Sequence, residues 1–246
     1  MARRTHATTM PRTAMILAAG KGERMRPLTL TRPKPLVELA GRPLIDHALD
    51  ALEDAEVQRA IVNVHHLADQ LIEHLRSWAY PRILISDERD ALLDTGGGIV
   101  LALPLIGRRP FYLLNSDSVW RDGRGSALYR LADTFDAKAM DALLLLVPPE
   151  RGSGYAGRGD FVRAADGRLR RRGEQDRDAL VYMGVALMHP RLFAGAPEGA
   201  FSLNLLFDKA IAAGRLFGLV HEGEWMHVGT PEGLKQAEER LAGGPA

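Results

Sequence analysis

The chain has 246 residues, 46% of them hydrophobic, enough for one α/β domain with its own core. Lys and Arg total 32 against 31 Asp and Glu, a net charge of +1, so no whole-molecule field draws in nucleic acid or an anionic membrane, and any anion site must be local. With no cysteine the chain has no disulfide, thiolate nucleophile or zinc–thiolate site, which fits a cytoplasmic enzyme, and no apolar run approaches the roughly 20 residues that span a bilayer.

Residues 1–12 carry Arg3, Arg4, His6 and Arg12 without the apolar stretch and cleavage site of a secretory signal, and read as a disordered basic tail. A single domain is expected over 13–246. Residues 14–17 form a short apolar run, a buried parallel strand. A loop of Gly, Pro and charge follows over 20–35. Pro43 then opens a helix whose Leu44, Ile45, Ala48, Leu49 and Leu52 share one face. A strand over 60–64, a helix carrying Leu67, Leu71, Ile72 and Leu75, and a strand over 82–85 come next. Residues 95–98 lead into a short helix over 99–103, expected to stop near Pro104. Strands over 111–114 and 142–147 flank a helix over 126–135. This alternation predicts a mainly parallel sheet with helices on both faces. The pattern then changes to a hairpin over 159–172 turning at Asp166-Gly167, a strand over 179–188, a helix over 203–213, a strand over 216–220 and a helix over 231–241. The second half is expected to be a small, β-rich cover over the substrate.

The chemistry concentrates after the first strand, in Leu17-Ala18-Ala19-Gly20-Lys21-Gly22-Glu23-Arg24-Met25-Arg26 and then Pro33-Lys34-Pro35. This loop leaves the carboxyl end of a strand, where open α/β sheets place ligands. Its glycines let backbone N–H groups approach phosphate oxygens. Lys21, Arg24, Arg26 and Lys34 put four cations within fourteen residues, which suits a triphosphate. A P-loop is excluded, because no Gly-x-x-x-x-Gly-Lys-Ser/Thr occurs. A dinucleotide fingerprint is disfavoured, because Met25 stands where its third glycine belongs.

The loop is similar to the signature of the sugar nucleotidyltransferases. Thr95-Gly96-Gly97-Gly98, Asn115-Ser116-Asp117, Gly159-Asp160-Phe161 and Trp225-x-x-Val228-Gly229-Thr230-Pro231-Glu232 follow in that family's order, so the resemblance covers roughly residues 14–241. Within the family the chain most resembles the N-acetylmuramic acid α-1-phosphate uridylyltransferases of bacterial cell-wall recycling. The resemblance implies a Rossmann-like mixed α/β fold, with a nucleotide-binding half over 13–120 and a sugar-binding half over 121–246. It implies no β-helix acetyltransferase domain of the kind carried by long bifunctional members. It implies transfer of UMP from UTP to a sugar 1-phosphate, with pyrophosphate released. Two alternatives stay open: a guanylyl- or thymidylyltransferase for mannose-, heptose- or glucose-type phosphates, and a non-catalytic nucleotide-sugar sensor. The partners implied are a nucleoside triphosphate and a sugar 1-phosphate, with no nucleic acid and no membrane; oligomeric state is left open.

The resemblance also implies roles. The backbone of Leu17, Ala18, Ala19 and Gly20 would hold base and ribose. Lys21, Gly22 and Arg24 would hold the β- and γ-phosphates, with Arg24 stabilising departing pyrophosphate, and Glu23 is counted among the nucleotide-binding residues. Lys34 would bridge the α-phosphate and the sugar phosphate. Gly96 and Gly97 would lie against the base, and Asn115 and Gly159 would face the sugar. Asp117 would hold Mg²⁺, with Mn²⁺ as the alternative ion. The family usually has a second Asp just before the Val-Gly-Thr-Pro-Glu segment, whereas this chain has His227. Imidazole suits softer ions than Mg²⁺. His227 is therefore expected to ligate such an ion, to contact phosphate or a metal-bound water, or to mark a weakened site. His65 and His66 read as structural or exposed, and Trp120 and Trp225 as packing residues.

Overall fold

The computed structural model describes residues 10–243. In chain order the elements are β1 (Thr13–Leu17), β2 (Glu38–Leu39), β3 (Arg42–Pro43), α1 (Leu44–Asp54), β4 (Arg59–Val64), α2 (Ala68–Leu75), β5 (Arg82–Asp87), α3 (Asp94–Ile106), β6 (Phe111–Asn115) and β7 (Ser118–Arg121). There follow α4 (Ala127–Thr134), β8 (Ala142–Val147), β9 (Gly152–Ser153), β10 (Phe161–Arg163), β11 (Leu169–Arg171), β12 (Val181–Met188), α5 (Asn204–Ala212), β13 (Leu216–Val220), β14 (Glu224–His227) and α6 (Pro231–Ala242). Of the expected basic tail, residues 1–9 lie outside the described residues. Met10 packs against the core, and the Arg12 carbonyl accepts N–H bonds from Gln58 and Arg59. Among the described residues no helix is long and apolar enough to cross a membrane.

Seven strands form the central sheet in the order β13-β8-β12-β6-β1-β4-β5. All run parallel except β12, which is antiparallel to both β6 and β8. The strands read as continuous apolar runs because both faces are covered. In β8, Leu143, Leu145 and Val147 face the layer of α1, α2 and α4, whereas Ala142, Leu144 and Leu146 face α3 and α5. β1 divides likewise, with Ala14 and Ile16 on one side and Met15 on the other. The apolar face predicted for α1 is wholly buried. The hairpin β10–β11 turns at Gly167 as expected.

Two features depart from the sequence reading. Helix α3 starts at Asp94 and runs through Pro104 to Ile106, so neither the glycines nor the proline bounds it. The glycines are buried where neighbours leave no room for a side chain. Pro104 forfeits a single N–H bond without stopping the helix, which ends at Gly107. The second departure is a separate three-stranded sheet, β7-β14-β9, in a region the apolar periodicity left as loop. A small third core, with Met25, Val37, Leu39, Leu44, Val119, Met226, Val228 and Ala237, fastens the loop after β1 to this sheet and to α6.

Candidate active site

The carboxyl ends of β1, β4 and β6 open into a cleft of about 700 Å³. The loop that follows β1 forms one wall. Gly22 has φ +63°, and a Cβ there would lie 2.9 Å from Thr29 Cγ2 and 3.0 Å from Lys34 Cβ, so the chain turns here only because no side chain is present. The Gly22 carbonyl accepts from Met25 N at 2.9 Å and from Thr29 Oγ1 at 2.8 Å. Met25 is fully buried, which fixes the loop and leaves Lys21 and Arg24 exposed on the cleft side. Arg26 does not line the cleft; it lies 3.8 Å from Glu23.

The opposite wall is built by the turn from β6 into β7. Lys34 Nζ donates to Asp117 Oδ2, and both side chains are largely buried (13% and 16% exposed). The Asp117 carbonyl accepts from Val228 N at 3.1 Å, and β7 pairs with β14 so that Ser118 faces His227. Ser118 Oγ donates to the Met183 carbonyl and accepts from Trp225 Nε1, tying the turn to the main sheet. Burial alone would raise the Asp117 carboxyl, but the charges of Lys34 and His227 and the Lys34 hydrogen bond outweigh it and hold Asp117 below the ordinary carboxylate range. Burial lowers the His227 imidazole. The Asp117 carboxylate opposes that shift, and the charges of Lys34 and Arg24 reinforce it. Asp117, His227, Lys34 and Arg24 therefore share one electrostatic neighbourhood.

Leu17, Ala18, Ala19, Gly20, Lys21, Gly22, Glu23, Arg24, Lys34, Asn115 and Asp117 all line the cleft. Gly96, Gly97 and Gly159 do not. The space a side chain would need at Gly96 is filled by the Phe201 ring, and at Gly97 by the Gly199 carbonyl. These two glycines thus face a protein loop rather than an open base pocket. Gly159 abuts Ala179, and its N–H donates to Tyr155 Oη at 3.3 Å. His227 does not line the cleft either; its ring lies 5.6 Å from that of Trp225. His65 and His66 are bonded to the Glu88 and Thr29 carbonyls.

Sequence reasoning missed Asn63 and Glu88. Both line the cleft and are almost fully buried. Asn63 Oδ1 accepts from Ala18 N at 2.7 Å, and its Nδ2 donates to Glu88 Oε1 at 2.7 Å. Glu88 Oε2 accepts from Leu93 N at 3.2 Å, so the pair links β1, β4 and the start of α3. The available signal was an Asn inside one apolar strand and an acid just after another, both at the ligand-bearing end of the sheet.

A phosphate-sized cationic loop opposite one ionised carboxylate, at the carboxyl edge of a mainly parallel sheet, defines a nucleotide-handling α/β enzyme. Residues 13–160 match the family model described as nucleotidyl transferase, and the chain belongs to that family. It is 46% identical to the N-acetylmuramate α-1-phosphate uridylyltransferase of Caulobacter vibrioides, over 94% of this chain and 98% of that one. It is 36% identical to the enzyme of the same name from Neisseria meningitidis serogroup B, again over 94% and 98%. The fold matches the inositol-1-phosphate CTP transferase of T. maritima with a TM-score of 0.76 at 18% identity, over 96% of this chain and 98% of that one.

Proposed function

We propose that the chain transfers UMP from UTP to N-acetylmuramate 1-phosphate and releases pyrophosphate, as a cytoplasmic step in the recycling of cell-wall sugars. The reaction class rests on one observation: Lys21 and Arg24 line the same cleft as the Lys34–Asp117 ion pair. The choice of base and sugar rests on the near full-length similarity to the two uridylyltransferases.

An oxygen of the sugar phosphate attacks the α-phosphorus, and the bond to the β-phosphate oxygen breaks. Pyrophosphate leaves with the electron pair. Phosphate has a second pKa near 6, so the nucleophile is largely dianionic at neutral pH and needs no general base. The obstacle is repulsion between anions, which alignment and charge neutralisation remove. In this reading Lys21 and Arg24 hold the β- and γ-phosphates, and Arg24 stabilises the departing pyrophosphate. Lys34 releases Asp117 and bridges the α-phosphate and the sugar phosphate. The Ala18 and Ala19 backbone, steadied by Asn63, holds the nucleoside.

The donor set fits a divalent ion. Asp117 is a hard, ionised oxygen donor facing a cleft that phosphates would fill, which suits Mg²⁺ with few protein ligands. Bound there, such an ion would neutralise charge on the α-phosphoryl group. His227, whose proton affinity burial lowers, lies beside Asp117 outside the cleft lining and supplies no second carboxylate there.

Pyrophosphate release tests the reading. The protein is incubated with each nucleoside triphosphate, a panel of sugar 1-phosphates and Mg²⁺ or Mn²⁺. UTP with N-acetylmuramate 1-phosphate should turn over fastest. Nucleotide binding without release from any pair would instead support a sensor.

A further inference from the structure

A second cavity is somewhat larger than the cleft above. A space of about 800 Å³ lies at the amino end of β1 and β6, bordered by Thr13 where the cleft is bordered by Leu17. The two are separated by roughly 13 Å along β1. Arg12, Arg59, Arg108 and Arg109 line this basal cavity, and no Asp or Glu does. All four arginines are exposed. Arg59 donates to Thr13 Oγ1 at 2.9 Å. Among the described residues the side chains of Arg12, Arg108 and Arg109 have no hydrogen-bond or ion-pair partner. Other surface arginines of this chain are paired with carboxylates, as Arg171 is with Asp208 and Arg215 with Asp141.

We propose that this basal cavity is a second anion site, one that takes a phosphorylated small molecule of nucleotide size. Unpaired guanidinium groups are forks that match phosphate oxygens, and several converging on one concavity call for more than a single charge. The inner wall is apolar, made by Ile106, Phe135 and Leu187, so the ligand carries a planar or apolar body as well as its phosphate. A volume of this size falls within the range of small-molecule pockets, about 300–1,000 Å³. A polymeric polyanion fits less well. Arg12 also borders a neighbouring hollow with Glu53 and Glu56, so the positive area ends there instead of continuing as a stripe. Nothing in the proposed transfer reaction uses this site, and it stands or falls independently of that reaction.

Calorimetric titration of the full chain with UDP, without sugar phosphate or metal, reads the number of sites. Two sites are expected. Arg108→Glu with Arg109→Glu should leave one, or weaken the second by about tenfold or more, since each charged hydrogen bond lost costs on that order. Lys21→Glu with Arg24→Glu should remove the other site and leave the basal one. A single site in the parent that survives the Arg108 and Arg109 changes overturns the proposal. A single site abolished by those changes, and indifferent to Lys21 and Arg24, supports the basal site and counts against the catalytic reading instead. Both arginines lie on an exposed turn, so circular dichroism should match the parent. If the double charge reversal fails to fold, Arg109→Ser and Arg108→Ser singly must each weaken the second site, and unchanged binding in both overturns the proposal.

Discussion

Lys34 and Asp117, 83 positions apart in sequence, meet as a largely buried ion pair at the mouth of the cleft. Each is held by a different structure: Lys34 by a tight turn between two prolines, Asp117 by the turn between β6 and β7. A buried pair of this kind contributes little net stability beside a well-packed apolar pair. It does keep two opposite charges desolvated and aimed at one point. In the proposed reaction a phosphate arriving there would replace the carboxylate as the partner of Lys34 and leave Asp117 free to take a cation.

Asp117→Asn keeps the shape and an acceptor for Lys34 but removes the charge. Metal-dependent pyrophosphate release should fall by about 10²–10³-fold or more in kcat, the scale of losing one electrostatic stabiliser. Thermal unfolding should show a modest loss, because Lys34 keeps a neutral acceptor but loses its counter-ion. Turnover equal to the parent would mean that the carboxylate lies outside the chemistry.

Arg24 is exposed, and among the described residues its side chain makes no hydrogen bond or ion pair. Arg24→Ala should therefore leave folding intact. If Arg24 acts on departing pyrophosphate, kcat should fall about 10²-fold while UTP affinity changes by less than about tenfold. An affinity loss as large as the kcat loss would assign Arg24 to ground-state binding.

The alternating strands and helices, the face of α1 and the loop after β1 were legible because each is a local signal: an apolar run, a 3.6-residue period, glycines among cations. The extent of α3 was not. Gly96, Gly97 and Gly98 look like a loop until Phe201, Gly199 and Glu88 are seen occupying the space a side chain would need. The sheet β7-β14-β9 was also illegible. Its strands have two to four residues, too short for a period, and are held by pairing between residues distant in sequence, such as Glu224 with Arg121 and Trp225 with Gly152. That pairing sets His227 beside Asp117, so the motif order suggested the neighbourhood but not its cause. Asn63 and Glu88 sit within or beside apolar strands, where only a contact map separates a cleft wall from a buried core.

Gly22→Ala tests the loop geometry. The residue would need φ near +63° and would press its Cβ on Thr29 and on the Lys34 stem at 2.9 and 3.0 Å. A non-glycine residue held there costs on the order of 1–3 kcal/mol. The midpoint of urea unfolding should fall accordingly. The turnover lost should exceed that of an exposed change such as Arg26→Ala, because the displaced atom belongs to Lys34.

His227→Asp restores an oxygen donor where the resemblance leads one to expect it. Oxygen ligands favour Mg²⁺ relative to the softer ions that imidazole accepts. The ratio of activity in Mg²⁺ to activity in Mn²⁺ should rise in this variant. Titrating both ions against parent and variant checks it, and an unchanged ratio would place the His227 ring away from the ion.

The same histidine gives a pH dependence of stability. Burial holds His227 and the fully buried His221 below the ordinary imidazole value, and His189 is lowered by burial as well. As pH falls toward about 6.5, the unfolded chain takes up protons that the folded chain refuses. Stability is therefore full above neutrality and declines as pH drops through 6.5 toward the folded-state values. Asp117 acts in a separate window. Its folded pKa is depressed, so its contribution is present above the unfolded carboxylate value of about 3.9 and disappears only as pH falls through its lower folded value. His227→Gln should flatten the upper decline in part, leaving the share of His221 and His189, and should not remove the acid limb. Urea midpoints for parent and variant across both windows measure this. Parallel curves between pH 7 and 5 would show that His227 keeps its proton on folding.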